Sequence, residues 1–447
     1  CSDHEVNIKI LLNQVMANGD LTLKQRNKLL AEMTDEVAEL VLNNNYLQTE
    51  TLSLEEYSSV QTVDLLHRYL TNLEKKGRIN RKIEGLPSDE EILERKAAGY
   101  GFARPEIAVL IAYDKILLKE EILSSDLPED PYFFDMLASA FPRRISKKYQ
   151  KELMQHSLRR ELIATQLSSC ITNAMGINFV HRLRVETGAA TSFIIRAYVA
   201  SEALFDLKKY WERIRELDCK VNPKVQFSMM LQLYFLARRS TRWFLRNCTE
   251  DFNVSRGVEN FLPSLKELKN SVPSLLTEDQ EILLNHKVEE YCAQNVPRDL
   301  AYEVLLSDFL FNALDIVQAS KESAINVLEV SKVYFMLGKK LELNLLREKM
   351  MLHKFETQWD ELARASLLDD IDYYQRVLAL NILACHERGV DLAIVFDQWQ
   401  QRHSMINARW SNLIVDVLAN SNAGFIMYAV IVRELIELSR ARECAVK

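Results

Sequence analysis

Glycine and proline are scarce in this chain, at 11 and 9 among 447 residues. Folds that cradle a nucleotide between strands and helices need many tight turns and close backbone approaches to phosphate, so this scarcity argues for long helices instead. Cysteine is sparse too. Seven of them, an odd number with no close pairs, fit reduced thiols in a cytoplasmic protein better than a disulfide framework. The longest uninterrupted apolar run, FIMYAVIV at 425–432, falls far short of the ~20 residues needed to span a bilayer, so no membrane protein is expected. No two histidines stand four apart on a helix, and no zinc site is proposed. A nucleophile elbow and a phosphate loop are absent, as is any strand alternation long enough for a sheet.

What is present is amphipathic helix almost everywhere. The chain is 48% hydrophobic and 27% charged, an ordinary globular composition with room for two or three domains. Ser2 with Glu5, Ser53 with Glu56, Ser88 with Glu91 and Thr277 with Gln280 have the spacing of a capping box, each predicting a helix start. Val6, Ile10 and Leu11 give the first helix an apolar stripe that asks for a partner, and the start at Cys1 reads as a cut in a longer polypeptide. Arg104-Pro105-Glu106 opens a helix whose run IAVLIAY is apolar nearly all round and is expected to be buried. A long helix is predicted from Tyr149 to about Ala174, and Gly338 reads as a helix stop. The expected fold is all-α, helical bundles or arrays with no sizeable sheet. Breaks near Gly85 and between Asn247 and Thr277 separate residues 21–86, 87–247 and 248–447, and residues 1–20, the first helix and the turn after it, stand as a piece of their own.

Two clusters invite a chemical reading. Residues 141–250 hold 20 Lys plus Arg against 9 Asp plus Glu, which leaves −18 on the rest of a chain whose net charge is −7. Arg143, Arg144, Lys147, Lys148 and Lys151, with Arg238, Arg239, Arg242 and Arg246, could form a polyanion surface. A solvated face that pairs with the acidic remainder is the favoured account, because no nucleic-acid motif accompanies the charge. Asp369, Asp370 and Asp372 could chelate magnesium, as in an all-α lyase, but Tyr373 stands where a third carboxylate would be needed, so a helix start or loop is expected there. Gly99-Tyr-Gly101-Phe-Ala-Arg104 lacks the third glycine of a dinucleotide turn and reads as a loop feeding a helix.

Several strings together resemble one family. CSDHEVNIKILLN at 1–13, RPEIAVLIAY, SSDLPEDP, HSLRRELIAT, Gly176 to Phe179 with Arg182, ETGA at 186–189 and RAY at 196–198 resemble the C-terminal region of the large bacterial NAD-dependent glutamate dehydrogenases. VPRDLA, YFMLGKKL and LLDDIDYYQR extend the likeness more thinly to the end. The resemblance implies an intact enzyme that oxidises L-glutamate to 2-oxoglutarate and ammonium with NAD. It implies a catalytic domain lying upstream of this chain, and a helical scaffold, oligomerisation or regulatory role for the chain itself. No catalytic or cofactor-binding residue is expected here, and NAD belongs to the intact enzyme. Smaller glutamate dehydrogenases have a similar stretch, in which a serine a few residues past the glycines contacts the glutamate substrate. Ser2 matches it, and the same serine would equally serve as a plain helix cap. Partners are then the catalytic domain and further copies of the chain. The alternative is a self-contained helical module that binds nucleic acid or another polyanion.

Overall fold

The computed structural model describes residues 2–353, 357–385 and 391–440, with the Ser2 side chain outside that set. Among the described residues there are helices and no strand. They form two compact units, residues 1–196 with 249–254, and residues 197–248 with 255–447.

In chain order the first twelve helices are α1 (Ser2–Ala17), α2 (Leu23–Glu32), α3 (Thr34–Lys75), α4 (Arg81–Glu84), α5 (Asp89–Ala97), α6 (Arg104–Leu123), α7 (Phe134–Ser139), α8 (Arg143–Lys148), α9 (Gln150–Met154), α10 (Arg159–Met175), α11 (Phe179–Thr187) and α12 (Thr191–Leu204). The first unit is built on α3, α6 and α10, which pack on one another. No proline or glycine interrupts the 42 residues of α3, so it runs for roughly 63 Å before Gly77, in a left-handed conformation, ends it. Ser53 and Glu56 therefore start nothing. The chain is already helical when it reaches them, so Ser53 Oγ donates to the Thr49 carbonyl at 2.9 Å and Glu56 accepts from Arg104. The capping box does form at Ser88 and Glu91, where the preceding backbone is extended.

Only one side of α6 is buried. Ile107, Leu110 and Ile111 meet Leu66, Tyr69 and Leu70 of α3, while Ala108, Ala112 and Ile116 face outward. The first helix also finds its partner within the chain: Ile8, Leu11, Leu12 and Val15 of α1 are buried, and α1 packs on α9, whereas Val6 is exposed. The predicted helix after Tyr149 is broken at Gln155–Leu158. There His156 turns its ring to accept from the Leu158 N–H through Nδ1 and to meet the Asn7 carbonyl at 3.1 Å through Nε2.

The second twelve helices are α13 (Leu207–Arg215), α14 (Pro223–Asn247), α15 (Val254–Ser271), α16 (Glu278–Cys292), α17 (Arg298–Leu306), α18 (Ala313–Ser323), α19 (Val327–Lys340), α20 (Leu343–Leu352), α21 (Gln358–Ala384), α22 (Leu392–Arg402), α23 (Ser404–Ala419) and α24 (Phe425–Arg440). Helix α21 is the hub of the second unit, packing on α18, α19, α20 and α24. Two sequence signals yield to packing. Pro263 sits inside α15 although proline costs a helix interior about 3 kcal/mol, because burying Phe261, Leu265 and Leu268 returns roughly 1.5–3 kcal/mol each. Gly338 lies within α19 and does not stop it. A Cβ there would come within 2.9 Å of Asn344 and 3.3 Å of Gln375, so the glycine lets α20 and α21 approach. Thr277 and Gln280 form their capping box as predicted. Cys170, Cys219, Cys248 and Cys292 form no disulfide, while Cys385 is disulfide-bonded, which departs from seven reduced thiols.

Candidate functional sites

Asp369, Asp370 and Asp372 lie in the interior of α21, not at a helix start or in a loop. Spaced three apart on one face, Asp369 and Asp372 meet arginines from neighbouring helices. Asp369 accepts from Arg242 of α14 at 2.7 and 3.0 Å, with Arg246 at 3.4 Å. Asp372 accepts from Arg347 of α20 at 2.9 Å and from Arg239 of α14 at 2.5 Å. Beside them Arg376 of α21 and Asp315 of α18 form a 3.0 Å pair, both under a tenth exposed. Burial raises the Asp315 carboxyl above its ordinary range, and the nearby Asp372 adds to that. Asp369 and Asp370 are raised for the same first reason. Asp315, Asp369 and Asp372 fasten α14, α18, α20 and α21, and among the described residues no group of three or more His, Cys, Asp or Glu is placed to hold a metal.

The basic stretch follows the same pattern. In the first unit Arg144 pairs with Glu32 and Glu36, and Arg196 with Asp126 at 2.8 Å and Asp130 at 3.0 Å. Arg213 in the second unit pairs with Asp299 and Glu303. Much of the local positive excess is thus used inside each unit, as the favoured account expects.

The turn at 99–104 is used in packing within the first unit. Gly101, the second glycine of the turn at 99–104, is pressed against α3, where a Cβ would sit 2.4 Å from the Ser59 backbone. That glycine serves helix packing, and no strand precedes it. Ser2 is the first residue of α1, and its side chain, hence its contacts, lies outside the described residues. Two residues on, His4 is partly buried, its Nδ1 3.0 Å from the Ala140 carbonyl and its Nε2 3.3 Å from Asn44.

One constellation escaped sequence reasoning. A cavity of 130 Å³ opens in the first unit where Tyr69, Asn72, Leu73 and Lys76 of one α3 face meet Asp114, Leu117, Leu118 and Glu121 of α6 and Val180, His181 and Arg184 of α11. On α3 and on α6 the spacing is i, i+3, i+4, i+7, one helical stripe each. Asp114 is buried and accepts from Tyr69 Oη at 2.8 Å, Thr172 Oγ1 at 3.1 Å and the Asn178 N–H at 3.0 Å. Burial raises its carboxyl above the usual range despite these donors. The His181 ring lies 5.3 Å from that of Tyr69, and burial together with Lys76 and Arg184 pushes its pKa down to about 4. A neighbouring carboxylate, Glu55, accepts from the Ile177 N–H at 2.7 Å and is pushed up to about 7, chiefly by desolvation. The one signal that could have exposed this region is Asp114 itself, a lone acid inside the apolar run of α6.

Residues 99–437 match the family described as glutamate dehydrogenase, C-terminal, and residues 1–55 match that described as bacterial NAD-glutamate dehydrogenase, catalytic domain. The NAD-specific glutamate dehydrogenase of Halomonas elongata is 39% identical over 441 residues, that of Pseudomonas aeruginosa 37% over 443, and that of Mycobacterium tuberculosis 30% over 440. These alignments cover 98–99% of the chain and 27% of each relative, so the chain spans about a quarter of their length. With three quarters of its residues inside that match, the chain belongs to the glutamate dehydrogenase C-terminal family.

Proposed function

We propose that this chain is the helical C-terminal region of an NAD-dependent glutamate dehydrogenase that oxidises L-glutamate to 2-oxoglutarate and ammonium. The observation that carries the reading is the order of the two family matches, a catalytic-domain match over residues 1–55 followed by the C-terminal family from residue 99. NAD and the hydride-transferring residues belong to polypeptide upstream. The chain contributes a scaffold that packs against that domain, supports a cytoplasmic homo-oligomer or carries regulation. Its own residues supply no dehydrogenase activity.

Polypeptide extended upstream through the rest of the catalytic domain is expected to form NADH from glutamate and NAD, and this chain alone is not. NADH formation by the purified chain above the background of a mock preparation would overturn the assignment. Ser2 is the proposed glutamate contact. In the extended polypeptide Ser2→Ala should raise the KM for glutamate about tenfold, the worth of one hydrogen bond to a charged group. A Ser2→Ala variant with an unchanged KM and a stability loss of about 1 kcal/mol would assign the serine to capping alone.

A further inference from the structure

We propose that the cavity between α3, α6 and α11 is a binding site for a small organic carboxylate, held by Lys76, His181 and Arg184. This assignment holds whatever reaction the longer polypeptide performs. The polar groups around the cavity divide unevenly. The two carboxylates are engaged: Asp114 takes three hydrogen bonds, and Glu121 accepts from Arg184 and from Thr191 Oγ1 at 2.8 Å. The donors are not. Lys76 makes no ion pair among the described residues, and the His181 ring nitrogens have no hydrogen-bond partner there.

The walls offer an ammonium, a guanidinium and an imidazole N–H beside the two engaged carboxylates.

Leu73, Leu117, Leu118 and Val180 complete the lining, so the occupant has an apolar part as well as a charge. At 130 Å³ the space is well below the roughly 300–1,000 Å³ of drug-sized sites, which limits that part to a few carbons. His181 reports on occupancy. Burial, then Lys76 and Arg184, disfavour its imidazolium, and Glu121 opposes them. A bound carboxylate would therefore favour its protonation.

The test follows the His181 side-chain NMR signal of the whole chain, assigned by its loss in His181→Asn, during titration with succinate, inorganic phosphate or sodium chloride at matched ionic strength. Succinate is expected to saturate the shift and to raise the His181 pKa by about one pH unit, a tenfold coupling of proton and anion. Lys76→Gln, at an exposed helix end, should keep the fold and weaken succinate about tenfold. Shifts that track ionic strength alone, or that are unchanged in Lys76→Gln, would overturn the site. Equal saturation by phosphate would overturn the carboxylate assignment.

Discussion

Asp372→Ala tests the arginine–aspartate cluster of the second unit most directly. Asp372 holds two guanidiniums at once, Arg239 with about a quarter of its side chain exposed and Arg347 with less than a tenth. Removing one member of a buried ion pair typically costs about 3–5 kcal/mol, because the remaining charge stays desolvated. Both arginines keep neutral partners, Asn312 for Arg239 and Gln375 for Arg347, which places the cost near the lower end, about 3 kcal/mol. A unit of this size loses roughly 2–4 °C of melting temperature per kcal/mol, so thermal unfolding followed by the fluorescence of the five tryptophans, all in the second unit, should shift down by about 10 °C. Asp370→Ala is the control. Asp370 is half-buried beside Asp369, whose charge raises its carboxyl further, so its removal should change stability by less than about 0.5 kcal/mol. Equal, small shifts for both variants would refute the view that Asp372 fastens α14 and α20 to α21.

Two further outcomes concern the first unit. Gly176 closes α10 at φ 71°, ψ −168°, a conformation open in practice to glycine alone, and a Cβ would stand 2.0 Å from Glu55 Oε1. Gly176→Ala should cost about 3 kcal/mol or more in urea unfolding, whereas Gly188→Ala, at φ 73° with open space around it, should cost only about 1 kcal/mol; equal losses would contradict the clash. Glu55 binds its proton more tightly folded than unfolded, with a pKa of about 7 against an ordinary 4.5. Its contribution is therefore complete below about pH 4.5 and lost as pH rises through about 7, so melting temperature should fall across that window and fall less in Glu55→Gln; parallel pH profiles would remove Glu55 from the account.

Local chemistry was legible wherever the outcome depended on a few neighbouring residues. Ser88 with Glu91 and Thr277 with Gln280 cap helices because the chain before them is extended, whereas Ser53 with Glu56 has the same letters inside a helix already under way. Gly338 and Pro263 carried ordinary stop signals, yet close packing against Asn344 and Gln375 required the first and three buried apolar side chains outweighed the second. The lopsided charge was visible from composition, and its use in ion pairs was correctly expected. Which arginine meets which carboxylate depended on helices more than a hundred residues apart in sequence, such as α14 and α21.

By itself the sequence determined an all-helical chain, since few glycines and prolines and an apolar period near four leave little else, and its strings determined the family. Only the tertiary structure decided that three carboxylates would serve as fasteners and that Lys76, His181 and Arg184 would surround one cavity. Charges find their partners across space, and a helix face has no neighbour until the chain has folded back upon it.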